Sequence, residues 1–113
     1  MKIVDKISVK ELSEMSEKMY EPLVKAVVDI RKRSLVVDAE MHVDEEAYLL
    51  EHDSQQQDLW GINLYPNEFG KDNFIEFDSM INIRPRQNNR SRGVEDVEVQ
   101  RRIREVVSEA VHE

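Results

Sequence analysis

A change of period constrains this chain more than any other feature. From Val24 to Ile30 the residues Val24, Ala26, Val28 and Ile30 recur at every second position, and the valine-rich run from Leu35 to Met41 alternates again. Spacing of two places such residues on one side of a β-strand. On either side of these runs the spacing changes to three and four. Ser8 and Glu11 stand in capping-box register ahead of Leu12, Met15, Met19 and Leu23, which predicts a helix over residues 9–20. Near the other end Asp96 precedes Val99, Ile103, Val106, Val107, Ala110 and Val111, the apolar stripe of a last helix. A chain carrying both periods must pack helices on a sheet.

The remaining elements follow from their punctuation. Pro22 stops the first helix, and the charged turn Arg31-Lys32-Arg33-Ser34 joins the first two strands as a hairpin. Asp44 opens an acidic first turn ahead of Ala47, Tyr48 and Leu50, giving a short helix over residues 44–53. Trp60 to Tyr65 reads as a third strand and Phe74 to Arg84 as a long fourth one ending at Pro85, the two forming a second hairpin. The expected architecture is therefore α+β in the order α-ββ-α-ββ-α. Residues 1–113 form one domain, with a mainly antiparallel four-stranded sheet of two hairpins packed against helices.

Strict alternation then sorts the strands into two faces. Val24, Val28, Ile30, Leu35, Val37, Ile62, Leu64, Ile75, Phe77, Ile81 and Ile83 are expected to meet the helices. Asp29, Asp38, Glu40, His42, Asn63, Tyr65, Glu76, Asp78, Asn82 and Arg84 are expected on a polar face turned to water. Trp60 is expected to bury against the second helix, and Met15, Met19, Met41 and Met80 to fill gaps in the core.

Four stretches together resemble a known family. They are Val24 to Ile30, Asp38 to His42, Asp58 to Pro66, and Phe77 to Pro85 followed by Asn89-Arg90-Ser91-Arg92. The chain is similar over nearly its whole length to short bacterial and archaeal proteins grouped as a domain of unknown function. The resemblance implies a compact prokaryotic domain and carries over no activity, cofactor or site residue, so function has to be argued from the residues.

Composition removes several classes of chemistry. The chain has no cysteine, so disulfides, thiolate metal sites and a cysteine nucleophile are all excluded. Its net charge of −8 repels nucleic-acid phosphates and anionic membranes in general. No apolar run is long enough to span a bilayer and the first residues lack a signal-peptide core, so a cytoplasmic location is expected. Asp38, Glu40 and His42 share one side of an expected strand about 7 Å apart, a spacing that does not converge on one ion, so no metal or other cofactor is expected.

Against the acidic background, Arg84 to Gly93 holds four arginines, Arg84, Arg86, Arg90 and Arg92, and no acid. Arginine presents a planar fork of donors suited to carboxylate or phosphate. The leading expectation is a non-catalytic binding or assembly module whose loop 84–92 engages an anionic small molecule, RNA or an acidic protein partner. Arg84, Arg86, Asn89, Arg90 and Arg92 would bind the ligand together with Asn63, whose amide is unusual inside a strand. The competing explanation is that the arginines pair with acids of the protein itself or of a second copy. Two further functions stay open. One is a metal-independent phosphoester-cleaving enzyme in which His42 moves protons, Arg84 steadies negative charge, and Glu40 and Asn82 assist. The other is a structural homodimer through a strand edge or the last helix.

Overall fold

The capping box forms as its spacing requires. The Ser8 hydroxyl accepts from the Glu11 amide at 3.1 Å, the Glu11 carboxylate accepts from the Ser8 amide at 3.3 Å, and helix α1 runs from Val9 to Lys18. The computed structural model describes all 113 residues. After α1 come strands β3 (Val24–Asp29) and β4 (Ser34–Val37), helix α2 (His42–Glu51), strands β5 (Leu59–Leu64) and β6 (Ile75–Glu76), and helix α3 (Val97–Ala110). Short strands β1 (Lys2–Val4) and β2 (Ile7–Ser8) precede α1, and β7 (Val111–His112) ends the chain. The class is α+β. Both expected hairpins are present, and β1 adds a fifth strand, giving the wholly antiparallel order β1-β4-β3-β5-β6. Ile7 and Ser8 pair in parallel with Val111 and His112, tying α3 to the start of α1. No helix is long and apolar enough to cross a membrane.

The alternation of the first three strands holds on its apolar side. Val24, Ala26, Val28, Leu35, Val37, Ile62 and Leu64 are buried in one cluster with Leu12 and Met15 of α1 and Ile103, Val106 and Val107 of α3. The opposite face is not the open polar surface expected. Val27, Val36 and Leu59 are fully buried there beneath Leu49 of α2, so helices cover both faces in three layers. The reason is legible in the runs Val27-Val28 and Leu35-Val36-Val37, which are apolar on both sides, as strands buried on both faces are. Trp60 points away from α2 into the larger cluster. Met41 and Met80 do not fill the core; they are 52% and 64% exposed. Asp29 is buried, its carboxylate accepting from the Arg31 and Lys32 amides and from the Ser54 hydroxyl, so it builds the turn after β3.

The long fourth strand is the main departure. Only Ile75 and Glu76 pair with β5, and the chain then leaves the sheet through tight turns at Met80–Asn82 and Pro85–Gln87. Asn82 is fully buried, Ile81 packs under α2 rather than in the main core, and Ile83 is partly exposed, which inverts the faces expected for these residues. The Ser79 hydroxyl accepts from the Ile81 amide and starts the first turn, a local bond that competes with strand pairing.

This segment lies so close to β5 that Gly61 has no room for a side chain. A Cβ there would sit 2.6 Å from both Cβ and Oγ of Ser79 and 3.1 Å from Cγ1 of Ile81. Ser79 cannot easily withdraw, because it is buried and its amide donates to the Arg92 carbonyl at 3.0 Å. Gly61→Ala is expected to cost about 1–3 kcal/mol of overpacking, read as a lower urea midpoint. An unchanged midpoint would show that the turn yields freely.

Candidate functional site

Two buried asparagines organise the segment after β6. Asn82 exchanges both hydrogen bonds with the Gly61 backbone: its Oδ1 accepts from the amide at 2.8 Å and its Nδ2 donates to the carbonyl at 2.9 Å. The same Nδ2 donates to the Arg92 carbonyl at 2.9 Å. Asn89 donates to the carbonyls of Asn82 and Gly93, each at 2.8 Å, and accepts from the Glu95 amide. Asn88 takes the left-handed conformation, φ 61°, which lets Arg84 and Asn89 bridge. Asn82, expected to assist catalysis, and Asn89, expected to bind a ligand, both spend their amides on the backbone.

The four arginines have different environments. The Arg84 guanidinium lies 4.2 Å from the Trp60 ring centre and donates to the carbonyls of Gln56 and, at 2.7 Å, Leu59. Burial lowers its pKa, opposed by Glu46 and Asp58. Arg92 pairs with Asp78 at 2.6 Å. Arg86 and Arg90 are exposed and form no ion pair within the protein. Arg84 and Arg86 line an open groove of about 680 Å³ with Gln55, Gln56, Gln57 and Gln87.

A smaller cleft, about 310 Å³, opens between the amino end of α2 and the Asp78–Ile81 turn. Its floor is set by β-sheet register, because Lys25 of β3 and Asn63 of β5 are directly paired across the two strands. Met41, His42 and Val43 form one wall, Asp78 to Ile81 the other, and Arg92 closes an end. The N-cap of α2, Met41, supplies no side-chain acceptor, so the positive end of the helix faces the cleft without a side-chain cap. Lys25 is held by the Glu40 carbonyl at 2.9 Å.

The polar groups in this cleft are only partly used. His42 Nε2 lies 2.8 Å from the Ile62 carbonyl, and a carbonyl cannot donate, so Nε2 carries the hydrogen and Nδ1 is an acceptor. Burial pushes the His42 pKa down, partly offset by that bond, which favours the neutral ring. Asn63 Nδ2 donates to Glu76 at 2.8 Å and to the Asp78 carbonyl at 3.3 Å, while Oδ1 is buried with no partner. Turning the amide over would set oxygen against oxygen at both contacts, so this orientation is fixed by its neighbours.

The expected site residues thus divide among different places. His42, Asn63 and Arg92 come together in the cleft, and Arg84 with Arg86 lines the separate groove. Arg90 stands apart from both, and Asn89 is enclosed. The set proposed for phosphoester cleavage does not converge: His42 is in the cleft, Asn82 is sealed on Gly61, Arg84 is in the groove, and Glu40 lines a third depression beside Met19 and Glu21. Asp38, Glu40 and His42 do not share a strand either, since β4 stops at Val37, Asp38 adopts φ 71°, and His42 begins α2. Lys25 and Ser79 were missed as cleft residues. Lys25 reads as an ordinary wet-side strand residue until strand pairing sets it beside Asn63.

Comparison with known proteins adds one relationship. No curated protein and no solved structure matches the chain. Residues 1–110 match the family model described as "Protein of unknown function (DUF5674)", and the chain belongs to that family.

Proposed function

We propose that the protein is a non-catalytic binding module that holds a small anionic ligand in the cleft between α2 and the Asp78–Ile81 turn. The observation that carries this reading is the convergence of Lys25, Arg92 and the uncapped amino end of α2 on one concavity. Free helix amides and two cations, one of them already paired with Asp78, favour negative charge there, and the volume is at the low end of the roughly 300–1,000 Å³ usual for small-molecule sites. The overall charge of −8 disfavours a nucleic-acid polymer more than a small anion that can enter beside local cations. Arg92 is the contribution of the arginine-rich loop, its Nε on Asp78 and its guanidinium half exposed, whereas Arg84 is occupied by backbone carbonyls.

Titration with inorganic phosphate and with acetate, followed by two-dimensional NMR, tests the reading. The amides of His42 and Val43 are expected to shift. Arg92→Ala and Lys25→Met are each expected to weaken binding by about fivefold or more, the size of one lost charge-assisted contact. Arg86→Ala combined with Arg90→Ala should leave those shifts intact. If that double substitution abolished binding while Arg92→Ala did not, the outer loop would be the anion surface and the cleft reading would fail.

A further inference from the structure

The cleft contains more than cations, and the surplus narrows its ligand. Asp78 sets a carboxylate beside Arg92, so a bare polyanion would meet a like charge on entering. Two acceptors remain without a protein donor, His42 Nδ1 and the buried Oδ1 of Asn63. Asn63 is only 6% exposed, and a buried carbonyl oxygen lacking a donor costs free energy that a ligand N–H would recover. Around the mouth stand three apolar side chains, Met41, Val43 and Met80, each more than half exposed. Methionine at a rim adapts its shape to an aliphatic group.

We propose that this cleft binds a small aliphatic α-amino acid. The inference rests on the anion-binding reading above and extends it. The carboxylate lies toward Lys25, Arg92 and the amino end of α2. The amino group donates to Asn63 Oδ1 and His42 Nδ1 and is balanced by Asp78, and the side chain packs on Met41, Val43 and Met80. A lining of mixed charge suits a zwitterion better than it suits either ion alone.

The test uses the full chain and three probes of one carbon skeleton: leucine, 4-methylpentanoate, which lacks the amine, and 3-methylbutylamine, which lacks the carboxylate. Calorimetry or NMR titration is expected to rank leucine about tenfold tighter than either analogue, as leaving a buried polar partner unmet would require. Substituting Met41→Ser with Met80→Ser, both at exposed positions, should bring leucine close to glycine in affinity without unfolding the chain. If 4-methylpentanoate bound as tightly as leucine and still depended on Arg92, the amino-acid inference would fall and the anion site would stand. If the amine bound as well as leucine, or if phosphate, acetate and all three probes failed to bind, the anion reading would fall with it.

Discussion

Asn82→Ala is expected to remove about 3–5 kcal/mol of folding stability, the largest loss foreseen for any polar residue in the chain. The side chain makes three hydrogen bonds, to the Gly61 amide, the Gly61 carbonyl and the Arg92 carbonyl, and is fully buried. Alanine would leave one donor and two acceptors enclosed, each lost partner costing about 1–3 kcal/mol, with water in the vacated space offsetting part of the sum. A domain of this size has about 5–15 kcal/mol in all, so the variant would sit near its folding limit. Urea unfolding measures the loss, and hydrogen exchange at the Gly61 amide localises it. A decrease below about 1 kcal/mol, with Gly61 still protected, would mean that the amide is dispensable.

Glu45→Met should act in the opposite direction and stabilise the protein by about 3 kcal/mol at pH 7. Glu45 is fully buried in α2 and neither carboxylate oxygen has a hydrogen-bond partner. Burial pushes its pKa from 4.5 up to about 10 and outweighs the opposing influence of the nearby Ala39 backbone, the amino terminus and Lys25, so the folded protein keeps a proton that the unfolded chain releases. Between those two values the native state holds the extra proton. The contribution of Glu45 to stability is therefore full below about pH 4.5 and declines as pH rises toward 10, by about 1.4 kcal/mol per unit. Methionine is nearly isosteric, needs no proton and leaves no polar group enclosed. Denaturation midpoints at several pH values should show the parent losing stability relative to the variant as pH increases. A constant difference from pH 5 to pH 9 would show that Glu45 is solvated or paired in solution.

What could be read in advance depended on whether the signal was local. Ser8 with Glu11 and Asp96 with the Glu98 amide start their helices through contacts two or three residues away, and both starts were legible. The two-residue period of Val24, Ala26 and Val28 also sorted correctly, since a strand's own geometry imposes it. Val27, Val36 and Leu59 were readable as a second apolar face, but fixation on one parity hides them. Met80-Ile81-Asn82-Ile83-Arg84 alternates like a strand and is not one. Its outcome turned on a bond to Gly61 twenty-one positions earlier, which no window of local periodicity contains. The cleft was half legible: His42, Asn63 and Arg92 are conspicuous residue types, whereas Lys25, Ser79 and the exposed methionines acquire meaning only from strand register and loop path.

The asparagine that replaces a strand beside Gly61 also affects how molecules of this protein meet one another. Past the two residues of β6, the outer rim of β5 is occupied by the Asn82 amide, and the Leu59 carbonyl by Arg84. A neighbouring chain therefore finds only the two residues of β6 to extend on that side, and sheet growth along the rest of β5 is blocked by side chains. The opposite edge of the sheet is β1, three residues long and opening with a lysine, so a strand recruited from another molecule would meet only a short, charged rim there.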